Sequence, residues 1–313
     1  MSVPPKISVC IPTFRRNDRL RAVLEDLARQ SRLPDQVVIV DNDPGGGARG
    51  VTEEFQTGAP FQIVYDVQPE PNIAVTRNRT VALASGDWLA FIDDDERAPQ
   101  AWLQELLRAA EVSNADGVLA PVEPEVPATA PGWIRRGKFY DFAHQAEGAE
   151  VPLKSMRFGN LVLRAERLRA EPGPFDPRHG LMAGEDVDLL VRLVRKGAKI
   201  VWSERAPVFE PIESGRLSLR WLLLRALSGG QTFARYTVSG GYRPIGWPGR
   251  CVFFLKSLLQ MVLAGILALL VLPFGRQHAA SWLIKASANF GKLTILWGWQ
   301  YRQYARQPLN STG

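Results

Sequence analysis

The stretch "WLAFIDDDERAP" (residues 88–99) decides the fold. Leu89, Ala90, Phe91 and Ile92 make an uninterrupted apolar run, the character of a buried strand, and it leads straight into Asp93, Asp94 and Asp95. Three adjacent carboxylates repel one another and lose hydration on burial unless something positive sits among them. Two readings follow: a solvated acidic turn behind a strand, or a site where a divalent cation supplies the missing charge. The stretch alone does not choose between them.

Its surroundings supply context. "ISVCIPTF" (7–14) is a second apolar, β-branched run, ending at Pro12. "RNDRLRAVLEDLARQS" spaces Leu20, Val23, Leu24 and Leu27 as one face of a helix. "QVVIVDND" (36–43) and "FQIVYDV" (61–67) read as strands, and "IAVTRNRTVALAS" (73–85) as a helix. Strands without polar interruption, alternating with helices, predict an α/β domain whose mostly parallel sheet is covered on both faces. In such sheets ligands bind beyond the carboxyl ends of the strands. Pro12, Thr13, Phe14, Asp41 and the Asp93–Asp95 run all stand at such ends, which tells against the solvated-turn reading.

Composition bounds the rest. The 313 residues are 46% hydrophobic and 22% charged, the makeup of a folded protein with ample core. A net charge of +6 suggests an anionic partner: nucleic acid, an acidic membrane or a phosphorylated substrate. Cys10 and Cys251 make no disulfide framework, which suits a reducing compartment, and "MSVPPKISVC" shows no secretory signal. Residues 121–155 break into Pro, Gly and charged residues and read as a long surface connection. "NLVLRAERL" resumes as a strand, and "GEDVDLLVRLVRKGAKIVW" as a helix followed by a strand. Residues 257–275 carry no charge, at the lower length for crossing a bilayer. "SWLIKASANFGKLTILWGWQYRQY" follows, with lysines and tryptophans suited to an interface. The alternative is a buried helical hairpin.

Several groups carry chemistry. On an extended strand end, Asp93 and Asp95 would project to one side as hard oxygen ligands suited to Mg2+ or Mn2+. Glu185 and Asp186 open a helix. They are either an acidic N-terminus matched to the helix dipole or a placed general base, and the glycine-punctuated "PRHGLMAG" before them would let backbone approach a substrate. Arg77 is either solvated or a phosphate or donor-base contact. No Walker loop, G-x-S-x-G, G-x-G-x-x-G or Cys/His cluster is present, so NTPase, hydrolase, dinucleotide and zinc readings lack their motifs. "PGGGARG" (44–50) reads as a flexible turn.

Taken in order, "ISVCIPTFRRNDRL", "VVIVDND", "NIAVTRNRTVALASGDWLAFIDDDE", "FGNLVLRAERL" and "GEDVDLLVRLVRKGAKIVW" resemble the family 2 glycosyltransferases, more narrowly the bacterial succinoglycan-type exopolysaccharide enzymes, over roughly residues 6–215. The resemblance implies a GT-A fold, a Rossmann-like, mostly parallel sheet with helices on both faces, followed by C-terminal membrane-associated helices. It also implies inverting sugar transfer from a nucleotide-sugar, a UDP-sugar, to a lipid-linked saccharide or polysaccharide acceptor at the cytoplasmic face of the inner membrane. By that resemblance Pro12, Thr13, Phe14 and Asp41 hold the donor base and ribose, and Arg77, Asp93 and Asp94 complete the donor site. Asp93 and Asp95 ligate Mg2+ or Mn2+, and Asp186, beside Glu185, is the catalytic base. Many members place a histidine after the last strand as a further metal ligand, where "APVFEPIESGR" offers Glu210.

The expected organisation is a nucleotide-sugar-binding half (1–100), an acceptor-binding half with the Glu-Asp helix (101–215) and a helical, membrane-associated region (216–313). Sugar nucleotidyl transfer is a competing reading, weakened by the lack of an N-terminal glycine-rich phosphate loop. A non-catalytic, membrane-bound saccharide-binding scaffold is another, and intact Asp93, Asp95 and Asp186 argue against it. A nucleic-acid partner is not expected, because the positive charge reads as scattered rather than striped with aromatics. The sequence names neither sugar nor oligomeric state.

Overall fold

Alternating apolar runs and amphipathic helices build most of the chain, and the computed structural model describes residues 4–180 and 184–301. In order come β1 (Ile7–Thr13), α1 (Asn17–Ala28), β2 (Gln36–Asp41), α2 (Arg49–Gln56), β3 (Gln62–Val67), α3 (Ile73–Leu83), β4 (Trp88–Phe91), α4 (Trp102–Val112) and β5 (Gly117–Leu119). Next are β6 (Val122–Glu125), α5 (Gly132–Gly137), β7 (Leu161–Arg164), α6 (Ala165–Arg169), α7 (Glu185–Arg195), β8 (Ile200–Trp202) and β9 (Val208–Pro211). Three longer helices close the chain: α8 (Leu219–Val238), α9 (Trp247–Val271) and α10 (Arg276–Thr294). The described residues fall into two units, one of residues 4–124, 142–180 and 185–211, the other of 125–141, 184 and 212–301.

The first unit is a seven-stranded sheet in the order β3-β2-β1-β4-β7-β5-β8, flanked by a two-stranded ribbon of β6 and β9. β1 to β4 run parallel, β7 is antiparallel to both its neighbours, and β5 pairs parallel with β8. Alternate residues of each strand supply opposite faces. Val9, Ile11 and Ile39 pack with α1 and α4 on one side, and Cys10, Val38 and Phe91 with α3 and α7 on the other. Both faces are dry, which is why the strands read as unbroken apolar runs. Asn72 caps α3, its Oδ1 accepting from the Ala74 and Val75 amides at 3.1 and 3.2 Å. The order reverses between β1 and β4, so the carboxyl ends of β1, β2 and β4 surround a switch point.

Three details differ from the sequence reading. β1 continues through Pro12 to Thr13, because the last β1–β4 pair is Cys10–Phe91 and a missing N–H beyond it costs no bond on that edge. "NLVLRAERL" is strand only over Leu161–Arg164 and then turns into the short α6. The 121–155 connection is ordered in part: it forms β6 and α5, and its spaced apolar residues Ala130, Ile134 and Tyr140 are buried with Ile212 and Leu222 in a small core of the second unit.

In that second unit α8 and α10 meet at glycines. A Cβ on Gly230 would lie 2.0 Å from the Ala288 carbonyl oxygen, and one on Gly291 2.2 Å from that of Leu227. Gln231 ties the crossing to the chain beyond α10, donating to Thr294 Oγ1 at 2.8 Å and to the Trp299 carbonyl at 3.0 Å. α9 and the turn after it, Trp247–Phe274, form the one helix among the described residues long and apolar enough to cross a membrane. Its mean hydropathy is 2.3, yet only 17% of its apolar window is buried. That exposure removes α9 from the buried-hairpin reading.

Candidate functional site

The site grows from the ends of β1 and β4, which lie side by side. The chain leaves β1 as Phe14-Arg15, with Arg15 at φ +55°, a left-handed conformation uncommon for a residue with a side chain. The turn aims Arg16 back at the acidic run. Thr13 Oγ1 donates to Asp94 Oδ2 at 2.8 Å, the Phe14 amide to the same oxygen at 3.3 Å, and Arg16 Nη1 to Asp94 Oδ1 at 2.8 Å and Asp95 Oδ2 at 3.0 Å. Arg19 Nη1 stands 3.8 Å from Asp95 Oδ2. Asp94 is thus the buried hinge of the site, and burial pushes its carboxyl up to about 6 against the pull of Arg16.

The backbone leaves β4 at Phe91 and turns at Asp94-Asp95, with Asp93 close enough to Asp95 for the two carboxylates to repel. Arg16 gathers the adjacent Asp94 and Asp95, while Asp93 has its Oδ1 3.4 Å from Arg77 Nη2 and its side chain 39% exposed.

Arg77 is 7% exposed. It donates through Nη1 to Glu185 Oε1 at 2.7 Å, and its guanidinium stands 4.6 Å from the Phe158 ring centroid and 5.9 Å from that of Phe175. It bridges the acidic run of β4 to the first residue of α7. Glu185 is 2% exposed, and burial, with repulsion from Asp186, lifts it to about 7 against the pull of Arg77. Its Oε2 is buried without a hydrogen-bond partner among the described residues. Asp186 is half-buried, with Oδ2 accepting from the Phe158 amide at 3.1 Å. Of the glycine-punctuated stretch before α7, residues 181–183 lie outside the described residues.

Asp41 is completely buried. Its Oδ1 accepts from the Asp43 amide at 2.9 Å, and its Oδ2 accepts from the Ala48 amide at 2.8 Å and the Tyr65 hydroxyl at 3.1 Å. The side chain therefore pins the "PGGGARG" turn, which is held rather than loose, to the end of β2. Pro12 lies within β1, and Phe14, half-buried under the Arg15 guanidinium, is the aromatic surface at that strand's exit.

Two participants were missed by sequence reasoning. Glu96, 3% exposed, accepts from the Asp93 amide at 3.0 Å, and burial together with Asp93, Asp95 and Glu210 drives its carboxyl well above the usual range. It was legible only as a fourth acid after "DDD". Arg16 is the other, and its signal was a basic pair directly after a strand that ends opposite an acidic one. Gly159 fits here as well: it sits at φ +120°, and a Cβ there would press on Glu96 Oε1 at 3.1 Å.

Paired backbone bonds between Arg97 and Phe209, 2.8 and 2.9 Å, carry β9 and Glu210 to the same acidic group. Asp93, Asp95, Glu96 and Glu210 form an all-oxygen set whose crowding raises Glu96, the signature of a site short of positive charge, and this donor chemistry fits Mg2+ or Mn2+. Among the described residues no three such groups already converge at ligating distance. The arrangement suits a phosphorylated ligand bordered by Arg16 and Arg77, with a carboxylate at the start of α7 to take a proton.

Comparison with known proteins agrees. The family described as Glycosyl transferase family 2 matches residues 8–163. Succinoglycan biosynthesis protein ExoM of Rhizobium meliloti (strain 1021) is 34% identical over 232 residues, 73% of this chain and 74% of that protein. Among solved structures, the mannosyltransferase PcManGT from Pyrobaculum calidifontis, in complex with GDP-Man and Mn2+, aligns with a TM-score of 0.66 at 16% identity over 95% of this chain and 88% of its own. S. aureus TarS 1-349, in complex with UDP-GlcNAc, aligns with a TM-score of 0.55 at 16% identity over 95% and 93%. At those identities the two structures speak for the fold.

Proposed function

The chain belongs to glycosyltransferase family 2 and has the GT-A fold, and on that premise we propose that it is an inverting, divalent-metal-dependent transferase. It takes a UDP-sugar and passes the sugar to a lipid-linked or polysaccharide acceptor in cell-surface polysaccharide synthesis, at the cytoplasmic face of the inner membrane. The observation that carries this reading is the meeting of the acidic run after β4 with the Glu185-Asp186 helix start through the buried Arg77 bridge. The kinship with a succinoglycan biosynthesis protein supports the polysaccharide role, and the GDP-Man, Mn2+ and UDP-GlcNAc complexes of the fold neighbours support a nucleotide-sugar donor and a divalent ion.

Roles follow from position. Pro12, Thr13 and Phe14 border the donor base and ribose, with Asp41 shaping the adjoining turn. Arg77 and Asp94 hold the walls of the diphosphate site, and Asp93, Asp95 and Glu210 would hold Mg2+ or Mn2+. When bound, such an ion supplies Lewis-acid stabilisation of the departing diphosphate. Asp186 accepts the acceptor hydroxyl's proton as that oxygen attacks the anomeric carbon from the face opposite the diphosphate, so configuration inverts. Glu185 keeps Arg77 in place beside it.

Calorimetric titration with a panel of nucleoside diphosphates, with and without Mn2+, tests the reading. One nucleotide should bind only with the metal; Asp95→Ala should abolish that binding, and Asp186→Asn should retain it while losing transfer. No metal-dependent binding by the folded protein, or parental transfer by Asp186→Asn, would overturn it.

A further inference from the structure

We infer that α9 lies in the plane of one leaflet of an anionic membrane, as an anchor for the second unit, rather than crossing the bilayer. This rests on the membrane reading above. Charge is the first observation. After Glu213 the chain contains no Asp or Glu and twelve Lys or Arg, so with +6 overall the first 213 residues carry −6. The positive charge is therefore segregated into the C-terminal part, not scattered as the sequence reading held, and it matches a surface of acidic headgroups.

The second is the shape of the apolar surface. From Val252 to Leu270 the exposed large apolar side chains of α9 are 45–74% exposed, Leu258 least and Leu269 most. At 3.6 residues per turn they fall within an arc of about 140°. Ser257, Ala264 and Ala268 are the buried residues of α9, on its opposite side. The exposed apolar surface is thus a stripe on one side, the geometry of an interfacial helix.

The third is the neighbour. α10 follows α9 after a tight turn at Gly275 and runs back along it, bringing Lys292 within electrostatic reach of Lys256. Lys285 is ten residues beyond that turn and exposed, its Nζ 4.2 Å from the Trp282 ring. At 1.5 Å per residue it stands about 15 Å along the hairpin, the middle of a hydrocarbon layer about 30 Å thick. If α9 crossed the bilayer, Lys285 would be carried to its centre, where an ammonium is strongly disfavoured. Lying flat, α9 sinks its leucines among acyl chains while Lys256 and Lys285 stay at headgroup level. Trp247, Trp297 and Trp299, 77, 70 and 48% exposed, supply the ring-bearing side chains that favour that boundary. A leucine stripe offers a nucleic acid nothing to bind, so the lipid surface is favoured over a polynucleotide.

The test uses the full chain in inverted inner-membrane vesicles, treated with a membrane-impermeant maleimide. Three thiols are compared: native Cys251, and Gln277→Cys and Leu263→Cys, each in a Cys251→Ser background. Labelling of both Cys251 and Gln277→Cys from the outside, with Leu263→Cys slowed about tenfold relative to detergent solution, is the expected result. Purified protein should also float with phosphatidylcholine vesicles containing phosphatidylglycerol about tenfold better than with phosphatidylcholine alone. If Gln277→Cys reacts only after the vesicles are opened while Cys251 reacts at once, α9 crosses and the inference falls with the membrane reading intact. Absence from the membrane fraction and from floated vesicles, or binding to homopolymeric RNA but not to vesicles, would overturn both.

Discussion

Arg77→Met tests whether the bridge under the site is as strongly stabilising as its burial implies. Methionine keeps much of the volume between Phe158 and Glu185 but removes the charge. Glu185, 2% exposed, is then left without its 2.7 Å partner, and its other oxygen already has none among the described residues. Breaking a buried ion pair from one side costs about 3–5 kcal/mol, because the remaining charge stays desolvated. The cost should depend on pH, with a defined sign. Glu185 is raised from 4.5 to about 7 in the folded protein, so the fold binds this proton more tightly than the unfolded chain does. That contribution is fully present below pH 4.5 and is lost as pH rises through 7, an effect on the order of 3 kcal/mol. Without Arg77 the carboxyl resists ionisation further. The substitution should therefore cost about 3–5 kcal/mol at pH 8 and only about 1 kcal/mol at pH 5.5, where both proteins hold Glu185 neutral and mainly the ring contact is lost. Glu185→Gln added to Arg77→Met should restore most of the loss at pH 8. Urea denaturation followed by far-ultraviolet circular dichroism at the two pH values measures this. An equal cost at both, or a cost below about 1 kcal/mol at pH 8, would refute the reasoning.

Other consequences follow from packing. Cys10 is fully buried and pushed up to about 12 by burial, whereas Cys251 is exposed, so Ellman's reagent should titrate one thiol in the native protein and two in urea. Gly291→Ala should destabilise the α8–α10 crossing by about 1–3 kcal/mol or more, because its Cβ would stand 2.2 Å from the Leu227 oxygen. Gly265→Ala, with nothing within 4 Å, should be neutral or stabilising, and thermal melts of the pair separate steric from helix-propensity effects. Asn160, 1% exposed, accepts from Trp102 Nε1 at 2.8 Å and donates to the Pro121 and Ala206 carbonyls at 2.8 and 2.6 Å. Asn160→Ala should cost about 3 kcal/mol, read from the denaturation midpoint, since it leaves buried polar groups unpaired.

The sequence by itself determined the sheet and its chemistry-bearing end. Strands such as "ISVCIPTF" and "WLAFIDDD" are uninterrupted apolar runs because both faces of a parallel sheet are dry, and polar residues can follow only where the strand stops. That physical necessity made the α/β architecture legible, and it placed Thr13, Asp41 and Asp93 at strand ends. Even there, local periodicity left the antiparallel direction of β7 undetermined, because an apolar run reads the same in either direction.

Only the tertiary structure decided which charges meet. Arg16 reaches Asp94 across 78 residues and Arg77 reaches Glu185 across 108, pairings that exist because the chain folds β1 beside β4 and brings α7 against α3. The same neighbourhood turns Asp41 inward onto backbone amides, sets Arg77 against Asp93 and Arg16 against Asp95, and brings Glu96 and Glu210 into one crowded acidic group with them. Composition revealed that α9 was apolar, but not that its exposed leucines share one side beside a helix carrying Lys285 at mid-length. Burial along a strand is written in its own residues, whereas the partner of a charge is set by segments far away in the chain, and a single sequence does not encode that distance.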